Sequence, residues 1–150
     1  MSEKYGPEAV AYATAVFGEP APGVGHPWYR LLNAEALAAN GVPVEYAAAL
    51  PWEDSYGFQG YNYEDIHALY LAGVSAEWAA AFMKLLCDED GRTSQGIKLH
   101  IDEMVYPIAV WRAGVEPGYA AACARRYISV EDTASLHAAV PYEYLGSVLL

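Results

Sequence analysis

A nine-residue pattern recurs along this chain and constrains the fold more than any other feature. It reads GVPVEYAAA from Gly41, GVSAEWAAA from Gly73 and GVEPGYAAA from Gly114, and a divergent copy, AVPYEYLG, begins at Ala139. Glycine ends helices readily because it takes the left-handed conformation without the Cβ clash that other residues suffer. The Pro or Ser that follows is typical of a helix start. Each copy therefore predicts a corner between two helices.

Other positions of the pattern predict how the corners pack. The valine after each glycine is expected to turn inward and seal the joint. The aromatic residue, one turn into the next helix, is expected to pack back on the preceding helix; these residues are Tyr46, Trp78, Tyr119 and Tyr144. The alanines that follow allow helices to approach closely.

Helix signals cover most of the remaining chain, so the fold class predicted is all-α. Asn62 with Asp65, and Ser129 with Asp132, have the spacing of N-terminal capping boxes. Helices are expected near residues 7–17, 28–39, 43–50, 63–72, 76–89, 102–113, 117–127, 130–138 and 142–149. Pro107 is expected to kink or divide the sixth of these. The alternation over residues 97–101 fits a short strand or a lead-in to that helix.

These eight or nine short helices suit one domain over residues 1–150. Unequal intervals separate the corners, so two arrangements stay open: a compact bundle, or a short irregular array of helix–Gly–Val–helix hairpins. Residues 18–27 are rich in Pro and Gly and predict a cap-like first helix or a flexible connection.

The net charge of −11 excludes some partners and favours others. Phosphates of nucleic acids and anionic lipids would be repelled, so neither direct nucleic-acid binding nor membrane binding is expected. The stretch from Leu31 to Met83 has no Lys or Arg and seven acidic residues. A protein partner with a basic surface therefore suits this stretch, and imitation of nucleic-acid phosphates stays open as a special case.

The lack of a membrane-span or signal-peptide pattern, together with the spacing of the cysteines, predicts a cytoplasmic protein. No apolar stretch approaches the 18 residues of a membrane span, and the first residues lack the pattern of a signal peptide. Cys87 and Cys123 lie far apart without a CxxC pair, so neither a disulfide framework nor a thiolate zinc site is expected.

The most unusual segment is the loop over residues 51–63, which is rich in aromatic side chains, glycine and acids. Trp and Tyr dominate the energetic centres of protein interfaces. The predicted partner-binding residues are Trp52, Glu53, Asp54, Tyr56, Phe58, Tyr61 and Tyr63. The alternative is that Trp52, Phe58 and Tyr61 fill a gap between helix pairs.

Catalytic and metal signals are weak. His100 with Asp102 or Glu103 is the nearest approach to an acid–base cluster, and no nucleophile motif accompanies it. Asp88, Asp90 and Gly91 match only part of a calcium loop. We therefore predict no cofactor and no metal site.

These observations favour a non-enzymatic adaptor or inhibitor that binds another protein through an acidic, aromatic surface. Two alternatives remain: a small enzyme that uses His100, and a structural subunit of a larger assembly. Because residues 142–150 end on apolar side chains, the last helix is expected to dock on its own domain or to form a homo-oligomer.

Overall fold

Helices are the main secondary structure of the described part of the protein. A computed structural model describes residues 5–52, 60–87, 97 and 100–149, with the backbone alone at Asp102. Within these ranges there are nine α-helices and no strand, which confirms the all-α prediction. The helices are α1 (Pro7–Phe17), α2 (Trp28–Ala39), α3 (Val44–Ala48), α4 (Tyr63–Leu71), α5 (Ala76–Leu86), α6 (Val105–Arg112), α7 (Pro117–Ala124), α8 (Val130–Ala139) and α9 (Tyr142–Val148).

The three Gly-Val corners form as predicted. Gly41, Gly73 and Gly114 have φ of 73°, 81° and 79°, in the left-handed region. At the first corner the N–H of Val42 donates to the carbonyl of Leu37, 3.0 Å away, across the end of α2. The equivalent hydrogen bond forms at the other two corners. At all three corners the donor residue and the acceptor residue are apolar and buried. These are Schellman motifs, in which a hydrogen bond and an apolar contact end the helix together.

The divergent copy at Ala139 lies between two helices, α8 and α9, as predicted, but the fourth left-handed corner lies twelve residues earlier. Val140 has extended backbone (φ −120°), so no left-handed residue ends α8 there. Instead Tyr127 takes φ 58°, and the N–H of Ile128 donates to the carbonyl of Cys123 at 3.1 Å. Tyr127 thus occupies the position that glycine has elsewhere, and a search for glycine misses it.

Aromatic side chains provide the hydrogen bonds that connect the corners. The carbonyl of the residue after each left-handed position belongs to neither helix, so it needs an outside donor when buried. Tyr12 Oη donates to Val42 at 2.8 Å, and Tyr46 Oη to Val74 at 2.7 Å. Trp78 Nε1 donates to Val115 at 2.8 Å. Tyr119 Oη donates in the same way to Val140 at 2.9 Å, although Val140 has extended backbone and follows no left-handed residue.

The direction of these bonds corrects the prediction for the aromatic residues. Tyr46, Trp78 and Tyr119 were expected to pack back on the preceding helix, but their hydrogen bonds reach forward to the next corner. Their ring contacts also run forward: Tyr46 meets the ring of Tyr70 at 5.2 Å, on the helix that enters that corner. Tyr144 occupies the same position in the last helix and is exposed. Each repeat is thereby joined to the one that follows it.

One hydrophobic cluster contains buried side chains of helices from α1 through α9. The first helix packs against α2 and α3, and α5 packs against α7. The connection over residues 18–27 is joined to α1 at its end, where His26 Nε2 lies 2.9 Å from Thr14 Oγ1. At the other terminus α9 docks on the same chain, with Leu145 buried and the ring of Tyr142 against Gly118.

The region before α6 follows the lead-in alternative for residues 97–101, but the helix breaks at a different place from the one predicted. The N–H of Ile101 donates to the carbonyl of Ile97, the bond of a helical turn rather than of a strand. A single 3₁₀ turn, Asp102–Met104, then precedes α6. The break lies at Glu103 and Met104, which have φ of 60° and 62°, and not at Pro107. Pro107 lies in the first turn of α6, where its missing N–H breaks no hydrogen bond.

Candidate functional site

His100 uses its Nε2 atom for a hydrogen bond to the backbone. Its Nε2 lies 2.7 Å from the carbonyl oxygen of Ile128, the residue after the left-handed Tyr127. A carbonyl only accepts, so this nitrogen carries the hydrogen. The ring also packs on Tyr106, with centroids 4.8 Å apart. His100 thus belongs to the series of aromatic donors that satisfy corner carbonyls.

Of the two carboxylates in the predicted acid–base cluster, only the side chain of Glu103 lies in the described part. Glu103 is exposed and has left-handed backbone, while the side chain of Asp102 lies outside the described part. In the described ranges no three His, Cys, Asp or Glu side chains are grouped so that they could hold a metal ion. The partial calcium loop at residues 88–91 falls outside those ranges.

The stem of the aromatic loop is held tightly at both ends. The N–H of Tyr61 donates to the carbonyl of Pro51 at 2.8 Å, and Trp52 and Tyr61 form an isolated parallel bridge. A Cβ on Gly60 would lie 2.5 Å from the carbonyl carbon of Trp52, so only glycine fits there. The two ends of the loop are therefore held side by side.

The aromatic residues of this stem pack inward. Tyr61 is fully buried and donates to the carbonyl of Ala79 at 2.7 Å, and burial raises its pKa above the usual range. Trp52 is half-buried, donates to Ala47 at 3.1 Å and meets the ring of Phe17 at 4.8 Å. Tyr63 is half-buried at the start of α4. Tyr61 and Trp52 thus serve the scaffold, as the gap-filling alternative expects. The remaining predicted partner-binding residues, Glu53, Asp54, Tyr56 and Phe58, lie outside the described residues.

An exposed aromatic surface lies on α2, and sequence reasoning missed it. The helix buries Leu31, Ala34 and Leu37 on one side. Its other side presents Trp28, which is 68% exposed, with Tyr29, Leu32 and Glu35. We call these four residues the α2 surface. The signal available in the sequence was the spacing of Trp28, Leu32 and Glu35, which places them on one helical face away from the buried triplet.

The basic residue beside this surface is turned away from it. Arg30 lies with its guanidinium carbon 5.2 Å from the ring centroid of Phe17, at the end of α1. This cation–π contact holds its charge on the α1 side. The α2 surface therefore carries one acidic residue, Glu35, beside its apolar side chains, and no basic one.

Two open grooves border the last helix. One, of about 490 Å³, lies between α8 and α9 and is mainly apolar; it is lined by Ile128, Asp132, Ser135, Leu136, Ala139, Val148 and Leu149. The other, of about 410 Å³, lies between α7 and α9 and contains Arg125 and Arg126 with Ala122, Gly146 and Leu149. We call the second one the arginine groove.

No protein-family model, curated protein sequence or solved structure matches the chain. Among the helices described, none is long and apolar enough to cross a membrane. The functional interpretation therefore depends on the residues of the chain itself.

Proposed function

We propose that this chain is a non-enzymatic protein that binds another protein through an acidic, aromatic surface in its first half. The observation that carries the proposal is the exposure of Trp28 beside Tyr29 and Leu32 on α2. Tryptophan and tyrosine dominate the binding energy of protein interfaces, and clustered exposed apolar groups mark interaction sites. The aromatic loop over residues 51–63, whose stem is fixed between α3 and α4, is proposed as a second part of the binding region.

The charge of this region favours a partner with a basic surface. Four acidic side chains of the acidic stretch are exposed in the described part: Glu35, Glu45, Glu64 and Glu77. No lysine or arginine lies between Leu31 and Met83 to neutralise them. A field of one sign accelerates the approach of an oppositely charged protein and weakens as salt is added.

Affinity capture with matched bait proteins tests this proposal. The baits are wild type, Trp28→Ala and Leu71→Ala, because Leu71 is 69% exposed and so matches Trp28 in exposure. If Trp28 is a central contact, its removal weakens a partner by about 2 kcal/mol, roughly 30-fold in Kd. We expect a protein that the wild type and Leu71→Ala retain and that Trp28→Ala loses.

One further bait tests the contribution of the aromatic loop to binding, and the salt concentration of the wash tests the contribution of charge. The fourth bait is Tyr56→Ala/Phe58→Ala, which changes only residues beyond the stem. Trp52→Ala is not used, because it would also remove the hydrogen bond to Ala47. Washing with 0.5 M salt instead of 0.15 M is expected to reduce capture of a basic partner. Identical protein profiles for all four baits would contradict the proposal.

A further inference from the structure

The arginine groove is a basic site on a strongly acidic protein. Arg125 and Arg126 are both exposed, and neither forms an ion pair with a described residue. In contrast, His137, one helix further along the chain, lies 2.7 Å from Glu116 Oε2. None of the described residues that line the arginine groove has a carboxylate side chain. Two guanidinium groups are therefore available to an incoming acidic group.

The other lining residues indicate the chemistry that fits this groove. Ala122 and Gly146 are small and leave space between α7 and α9, and Leu149 adds an apolar wall. Arginine binds carboxylates through two parallel hydrogen bonds and also packs against aromatic faces. The groove thus suits a surface on which a carboxylate stands beside apolar or aromatic side chains.

The α2 surface has this composition. Glu35 lies on the same helical face as Leu32 and Trp28, one and two turns from them. We propose that the α2 surface of one copy binds the arginine groove of a second copy, so that the chain associates head to tail. This inference rests on the proposed function, because it names a partner for the same surface.

The distribution of charge favours a second copy as the occupant. Six of the eight Lys and Arg residues follow Met83, and Arg30 on α2 is held against Phe17, so the acidic and the basic side of this contact lie in different parts of one chain. Trp28 and both arginines are exposed in the same structure, so the two surfaces do not cover each other within one molecule. A head-to-tail contact leaves one free surface at each end, and it produces either a closed ring or an open chain.

Light scattering on the full chain tests the association. We expect a molar mass near 16.3 kDa in dilute solution and at least twice that at high concentration. In 1 M salt the mass is expected to fall, because the Debye length shortens to about 3 Å. Trp28→Ala and Arg125→Glu/Arg126→Glu are each expected to raise the dissociation constant about tenfold or more. Lys84→Glu/Arg112→Glu is the control, since it makes the same charge change at two other exposed residues.

Mixing the two interface variants separates head-to-tail association from a symmetric dimer. Trp28→Ala keeps an intact arginine groove, and Arg125→Glu/Arg126→Glu keeps an intact α2 surface. One productive contact therefore remains between them, and the mixture is expected to form a heterodimer that stops at two copies. No recovery on mixing overturns the inference, as does wild-type protein that stays monomeric. In the latter case a captured protein lost from Trp28→Ala would still support the proposed function, so the two failures are distinguishable.

Discussion

The phenol of Tyr12 donates a hydrogen bond of 2.8 Å to the carbonyl of Val42, thirty residues further along the chain. It is the first of five such bonds, because Tyr46, Trp78, His100 and Tyr119 reach the carbonyls of Val74, Val115, Ile128 and Val140 in the same manner. Each of the four left-handed corners, and the extended junction at Val140, thus has a donor from an earlier element. The helices are joined by this series as well as by their apolar contacts.

Removing one donor tests the energetic role of the series. Tyr12→Phe keeps the ring and leaves the carbonyl of Val42 without its phenol donor, which is expected to cost about 1–3 kcal/mol. For a chain of this length the Tm would fall by about 2–4 °C for each kcal/mol. Tyr144→Phe, which removes an exposed phenol with no corner ahead of it, is the control. Equal unfolding curves for the two variants would contradict the role given to Tyr12.

Stability is expected to decrease at alkaline pH. Burial, with a smaller effect from Glu45, raises the pKa of Tyr12 from 10.0 to about 12. The folded state then holds a proton that the unfolded state loses between these values, so this stabilisation is complete below pH 10 and is lost as pH rises through 12.

Urea unfolding at pH 8 and pH 11.5 measures this effect. Tyr12→Phe lacks the titrating group, so the difference in free energy of unfolding between wild type and variant is expected to shrink at the higher pH. Burial also raises the pKa of Tyr46 and Tyr106 to about 12, so both proteins lose further stability there. A difference that stays constant between the two pH values would argue against a protonated, buried Tyr12.

Two glycines are expected to resist substitution for different reasons. A Cβ on Gly73 meets nothing within 4 Å, so Gly73→Ala should cost only the left-handed backbone strain, about 1–2 kcal/mol. Gly60→Ala would place its Cβ against the backbone of Trp52, and overpacking of this kind costs about 3 kcal/mol. Chemical denaturation of both variants compares the costs. A Gly60→Ala protein as stable as Gly73→Ala would contradict the close packing of the loop stem.

His100 is expected to act on stability through its hydrogen bond. His100→Phe keeps an aromatic ring against Tyr106 but leaves the carbonyl of Ile128 without its donor, at a cost of about 1–3 kcal/mol. His67→Phe is a suitable control on α4, because His67 is half-buried and has no hydrogen bond within the described ranges. If the two variants unfold at the same denaturant concentration, His100 does not support the fourth corner.

The candidate surfaces were harder to predict than the helices. The aromatic loop stood out by composition, but composition does not determine which rings turn inward, and Tyr61 is fully buried. On α2 the apolar residues are spread around much of the helix. Only packing against α1 and α4 determines that Leu31 and Leu37 are covered while Trp28 is not.

The sequence by itself determined the three Gly-Val corners and the helices that end at them. A Schellman corner is closed by hydrogen bonds that span at most five residues, so glycine, the following valine and the capping residues are sufficient to predict it. Only the tertiary structure decided which aromatic donor satisfies which corner, that tyrosine occupies the fourth left-handed position, and which apolar faces stay uncovered. The hydrogen bonds from these donors join residues 21 to 37 positions apart. Such contacts depend on how whole helices pack rather than on local chemistry.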